Sequence, residues 1–240
     1  MRKTVKFFVL LVAIVALAVR ASAYTITLDS SSSTTNYIGF VSTYGNTPST
    51  TFSTSDVATG TARAASQVTN TSGWTAAIAG SEWVSNNSNA GPATPDTVEP
   101  YGYYTYTETF TVSSAMKVET GSLSIMADDT AAVLLNGQLI QGFEALGSDS
   151  DCATGGTGIT CSAPYTINLT GLSLVAGTNT LTIVDLQAGT DGQGDAEGID
   201  YYGTITNGPE PGTWVLLGSG LLVVIVMARR RIKPCPIRGA

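Results

Sequence analysis

Two apolar runs, one near each end and each bordered by basic residues, decide which part of this chain can build a core. Phe7 to Val19 follows Arg2, Lys3 and Lys6, and Trp214 to Ala228 is followed by Arg229, Arg230 and Arg231. After the first run, Ala21-Ser22-Ala23 has the small-residue pattern of a signal peptidase site, which predicts a signal peptide over 1–23 cut after Ala23. Arg20 sits between the apolar run and that site, so an uncleaved N-terminal anchor is the alternative. The second run has 15 residues. As a helix it reaches ~22 Å, against a hydrocarbon thickness of ~30 Å. It therefore predicts a short transmembrane helix over 214–228, able to hold the chain at a membrane for a time and poor as a permanent anchor. Basic residues at both inner ends place 24–208 outside the cytoplasm and leave 234–240 as a cytoplasmic tail.

Whatever folds must come from the roughly 185 residues between the two runs, enough for one domain of moderate size. Gly, Ser and Thr are abundant there and helical Leu periodicity is missing. Short β-rich runs separated by turn residues predict an all-β, antiparallel β-sandwich. Tyr24 to Leu28 opens a strand, residues 42–73 are weakly patterned, and Trp74 to Ile78 and Glu82 to Ser85 read as further strands. From Tyr101 the pattern sharpens: Tyr101 to Val112 alternates with period two, as a half-buried strand does. Lys117 to Ala127 follows, then a turn at Asp128-Asp129, then Thr130 to Leu135. Asn136-Gly137 is the dipeptide that most favours a two-residue hairpin turn, because both positions tolerate positive φ. Gln138 to Phe143, Tyr165 to Leu169, Thr180 to Leu186 and Ile199 to Thr206 complete the set. The organisation expected is a β-rich part over 24–100, in the same sandwich or beside it, and a sandwich core over 101–208.

Charge narrows the partners. The formal net charge of −7 hides an asymmetry: seventeen acids and only Arg63 and Lys117 lie between Tyr24 and Gly208. Nucleic acid, anionic lipid and polyanionic glycan are excluded, because phosphate or sulfate binding needs Lys and Arg. Divalent cations, neutral sugars or mere solubility remain. With no histidine in the chain, Ser/His and Cys/His nucleophile pairs are ruled out and only carboxylate chemistry is left. No pocket-forming motif accompanies the acids, so the expectation is a protein that is not an enzyme. Cys152 and Cys161 flank a Gly-rich loop in an exported segment and predict a disulfide.

Three constellations are candidate sites. Asp128 and Asp129 could serve a calcium position or clamp sugar hydroxyls, although Asp also favours turns through its own backbone. Asp185, Asp191, Asp195, Glu197 and Asp200 are interleaved with glycines without a basic residue among them. A calcium ion would relieve their repulsion; their spacing does not match an EF-hand, and a solvated loop is the other reading. Tyr104 and Tyr106 share one face of their strand and Tyr101 and Tyr103 the other. Unless the strand is covered on both faces, one pair points outward as a glycan or partner surface.

Two resemblances follow from these residues. Pro209, Glu210, Pro211, the apolar run and Arg229 to Arg231, in that order, closely resemble the PEP-CTERM sorting signal of bacterial surface proteins, here over 209–233. The tail Ile232 to Ala240 is longer than that family usually carries. The resemblance implies processing by an exosortase, a surface or extracellular-matrix destination, and a role beside exopolysaccharide in biofilm. Ala-Asp-Asp-Thr and Leu-Leu-Asn-Gly within Gly121 to Ile140, and Val175 to Ile183, resemble galactose-binding-like jelly rolls. That likeness implies a jelly-roll fold and neutral polysaccharide as a partner.

Overall fold

The structure, a computed structural model, describes residues 24–43, 49–70, 73–92, 99–146, 158–188, 196–207, 218–225 and 227. The chain divides into two compact units, Thr25–Thr206 and the terminal segments Met1–Tyr24 with Asn207–Ala240. The described strands are β1 (Tyr24–Asp29), β2 (Asn36–Ser42), β3 (Arg63–Ala64), β4 (Ser66–Gln67), β5 (Val84–Ser85), β6 (Gly102–Val112) and β7 (Met116–Lys117). They continue with β8 (Thr120–Asp128), β9 (Thr130–Leu135), β10 (Gln138–Gln141), β11 (Tyr165–Asn168), β12 (Ser173–Leu174), β13 (Gly177–Gln187) and β14 (Gly198–Asn207). One sheet has the order β11-β8-β14-β5-β4, with β1 also paired to β14; the other runs β10-β9-β13-β6-β2-β3. β7 and β12 form a separate pair. This is the antiparallel β-sandwich that the strand pattern predicts, and strands from 24–100 contribute to both sheets.

Strand register fixes which side chains face inward. Directly opposed residues share a face, so Tyr104, Tyr106 and Glu108 lie beside Asp185, Leu181 and Ile183 on the β6–β13 pair. That face is the interior: the Tyr106 hydroxyl donates to Glu197, just before β14, and Glu108 is hydrogen-bonded to Tyr201 of β14. Val133 from β9 and Leu123, Ile125, Ile199 and Ile205 from the other sheet are also fully buried. Each such aliphatic side chain removed from water contributes about 1.5–3 kcal/mol before the entropy of ordering it.

Both sheets are also covered on part of their outer faces. Tyr103, Ala132, Leu134, Val184 and Leu186 form a cluster under Phe52, Val57 and Phe143. On the other sheet Met126 packs with Val68, Trp74, Trp83 and Cys161.

Several expectations are corrected. Tyr104 and Tyr106 do not face outward: they are 1% and 0% exposed, and Tyr103 on the opposite face is buried too, because the strand is covered on both sides. Asp128-Asp129 is not a hairpin turn, since β8 and β9 belong to different sheets and the pair carries the chain between them. Trp74 to Ile78 is not a strand; the carbonyls of Trp74 and Thr75 accept from the Asn70 amide instead of a ladder partner. β2 occupies residues that carried no strand signal. In the other unit a helix covers 218–225, and among the described residues no helix is long and apolar enough to cross a membrane. The expected transmembrane helix over 214–228 is therefore described only over 218–225 and 227; its physical weakness is length, ~22 Å against a hydrocarbon thickness of ~30 Å.

Candidate functional site

Of the acids expected to gather around a cation, the three described ones fall in two places, Asp200 in one and Asp185 with Glu197 in the other. Asp200 sits on β14 and accepts from Ser30 Oγ (3.0 Å), Ser81 Oγ (2.5 Å) and the Ile78 amide (2.7 Å). Glu197 has a different partner set: Ser85 Oγ at 2.5 Å and the Tyr106 hydroxyl. Asp191 and Asp195 lie outside the described residues. Among the described residues no three acidic side chains are arranged to hold a metal ion. Asp200 and Glu197 are each already supplied with donors within the fold.

Asp185 is the exception in that set. Both of its oxygens are buried and receive no hydrogen bond from a hydroxyl, amide or indole donor. Burial pushes its carboxyl well above the ordinary range, and the neighbouring Glu197 charge pushes it the same way. Two carboxyl groups in contact bond only when one carries a proton, so Asp185 is the neutral acid facing Glu197. Burial also raises Glu197, while its bonds from Ser85, Tyr106 and Asp185 pull it back. The Tyr106 hydroxyl is held far from ionisation by the same burial and by the Glu197 charge.

Asp128 and Asp129 are buried, at 2% and 1% exposure. Asp128 accepts from the Trp74 indole at 2.6 Å and Asp129 from the Ala188 amide at 2.7 Å. They fasten the β8–β9 crossover to the Trp74 layer and to the end of β13, so neither presents a carboxylate to a solvent-borne sugar. Tyr104 donates to the Pro100 carbonyl (2.8 Å) and to Glu99 (3.3 Å). It is an internal strut. Cys161 packs beside Trp74 and Trp83, whereas Cys152 lies outside the described residues, as do Ala21, Ala23, Pro209, Glu210, Pro211 and Arg229 to Arg231.

A surface groove lies over the outer layer of the first sheet, at its β4 edge, with a volume of about 480 Å³. Its floor is Trp83 and Val68, and its walls include Gln67, Asn70 and Glu82. Trp83 stacks on Trp74, with ring centroids 4.3 Å apart, and donates its indole N–H to the Thr75 carbonyl at 2.9 Å. Glu82 is fixed by backbone exchange with Ser30, whose carbonyl accepts from the Glu82 amide at 2.8 Å and whose hydroxyl donates to the Glu82 carbonyl at 2.7 Å. Asn70 gives both amide protons to the Trp74 and Thr75 carbonyls (3.0 and 2.8 Å), which leaves its Oδ1 buried and without a donor. No motif marks this groove, because its walls come from β4, the 68–70 segment and the residues before β5; a strand signal was carried only by Ala76, Ala77, Glu82 and Trp83.

No curated protein matches the chain. Among solved structures it is similar to a Faecalibacterium prausnitzii β-glucuronidase (14% identity, TM-score 0.37), covering 80% of this chain and 32% of that one. It is also similar to a Podospora anserina GH26-CBM35 β-(1,4)-mannanase (18% identity, TM-score 0.27), over 48% of this chain and 24% of that one. An Eisenbergiella tayi GH2 β-galacturonidase gives 13% identity and a TM-score of 0.32, over 74% and 24% of the two chains. The chain thus spans no more than 32% of any of these three enzymes, and likenesses this distant carry nothing about ligand or activity. The family model that matches is the PEP-CTERM protein-sorting motif, over residues 209–231. Those residues are the Pro-Glu-Pro hinge, apolar run and arginines, so the chain carries a PEP-CTERM sorting motif that implies an exported, envelope-associated protein with an exosortase as its processing partner.

Proposed function

We propose that this protein is a non-catalytic component of the cell surface or extracellular matrix, whose β-sandwich serves adhesion by binding neutral carbohydrate. The observation that carries the reading is the pairing of the sorting motif at 209–231 with an exported segment holding seventeen acids against two basic residues. Such a surface repels polyanions and leaves uncharged glycans as the extracellular polymers it can approach. The non-catalytic part is supported by the state of one interacting carboxyl pair: Asp185 and Glu197 are both 0% exposed, so no substrate reaches them, and glycosidic cleavage needs two carboxyls flanking a bound sugar. Affinity electrophoresis of the full chain in a zwitterionic detergent tests the binding. Migration should be retarded in gels containing neutral polysaccharide and unchanged in gels containing polygalacturonate. Identical mobility with and without every neutral polymer contradicts it.

A further inference from the structure

We infer that the groove between Gln67, Asn70 and Glu82 is the sugar-binding site of the sandwich, and that it takes a neutral saccharide through its hydroxyl groups. This inference rests on the carbohydrate-binding reading above. At about 480 Å³ the groove lies within the range of small-ligand sites, roughly 300–1,000 Å³. Its chemistry asks for donors. The Asn70 amide is committed to the Trp74 and Thr75 carbonyls and its Oδ1 is buried, so Asn70 shapes the groove and leaves recognition to its neighbours. Glu82 adds a carboxylate acceptor, and the Gln67 amide, exposed on β4, both donates and accepts. Sugar hydroxyls satisfy both groups in one ligand.

Competing ligands fit less well. A sugar acid or sulfated sugar would meet Glu82, with no Lys or Arg among the described lining residues. A metal ion would find one carboxylate where a calcium site needs six to eight oxygens. An added peptide strand would have only the two residues of β4 to pair with. Ala76 and Ala77, both exposed beside the floor, offer a small apolar surface to the C–H side of a pyranose. The Trp83 face is already covered by Trp74, so recognition comes from hydrogen bonds more than from stacking. Affinity is accordingly weak, on the order of millimolar per site.

The test compares the full chain with Q67A/E82A and, separately, Ala76→Trp, in detergent-containing gels of galactomannan, xyloglucan and dextran. The first variant removes polar groups; the second fills the groove and keeps them. Retardation of the parent in at least one neutral gel, weakened about tenfold or more in both variants, is the expected result. Equal retardation of parent and variants overturns the groove while leaving carbohydrate binding in place. No retardation of the parent overturns both. Retardation in polygalacturonate as strong as in the neutral gels overturns the neutral-sugar assignment. Unfolding midpoints measured on the same samples separate a groove effect from loss of fold, and if one variant is unfolded the other decides.

Discussion

Glu108 is 6% exposed on the inner face of β6, where burial, with a smaller push from the Asp29 charge, lifts its carboxyl from 4.5 to about 7 against the pull of a Tyr201 hydrogen bond. In the unfolded chain it would lose its proton near 4.5. Its folded form therefore holds a proton that the unfolded form releases between those two values, and the unfolded state is favoured as pH rises through that window. Stability from this group is complete below about 4.5 and gone above about 7. Burial raises Asp185, Glu197 and Asp200 in the same direction. The melting temperature should accordingly fall by roughly 5 °C or more between about pH 5 and about pH 8. Glu108→Gln should lessen that fall and raise the melting temperature at the upper pH. A thermal scan in which stability is flat or climbs with pH contradicts the assignment. None of this was legible from residue type, which says only that acids are numerous. Tyr104 and Tyr106 show why: alternation places them on one face, but whether that face meets water depends on Phe52 and Phe143 covering one side of the sheet and β14 the other.

The strands that were legible carry their signal locally. Asn136 and Gly137 adopt φ of 52° and 77°, the paired positive values of the hairpin turn that their dipeptide favours, and β9 and β10 flank them directly. β6, β13 and β14 are long enough for period two to show. β2 was missed because its residues are half-buried almost throughout and a register shift interrupts its pairing with β6 between Tyr37 and Gly39. The sheet assignment of β8 and β9 is invisible for another reason: nothing in Asp-Asp distinguishes a turn within one sheet from a crossing between two. The β2–β6 junction supports a sharp prediction at Gly102, whose φ is 151°. A Cβ there would lie 2.2 Å from the Val41 carbonyl oxygen and 2.6 Å from the Phe40 ring. Gly102→Ala must open the β2–β6 ladder at that end, so denaturant unfolding should show a loss of about 2–4 kcal/mol. An unshifted midpoint would mean that the two strands do not approach as closely as described.

At the scale of the whole molecule, the chain combines one acid-rich sandwich over Thr25–Thr206 with a sorting motif over 209–231. The C-terminal motif was the most legible part of the sequence, because a sorting signal depends on the order of residue types along the chain and needs no fold. The groove was the least legible, because its walls are assembled by packing and belong to no motif. The division of labour between sandwich and ends is tested most directly by the intact mass of the protein recovered from the cell envelope. The account predicts a species that begins at Tyr24 and lacks the arginine-bearing end after processing near Pro209 to Pro211. A recovered chain with the full-length mass, 24.7 kDa, uncut at both ends, would contradict it.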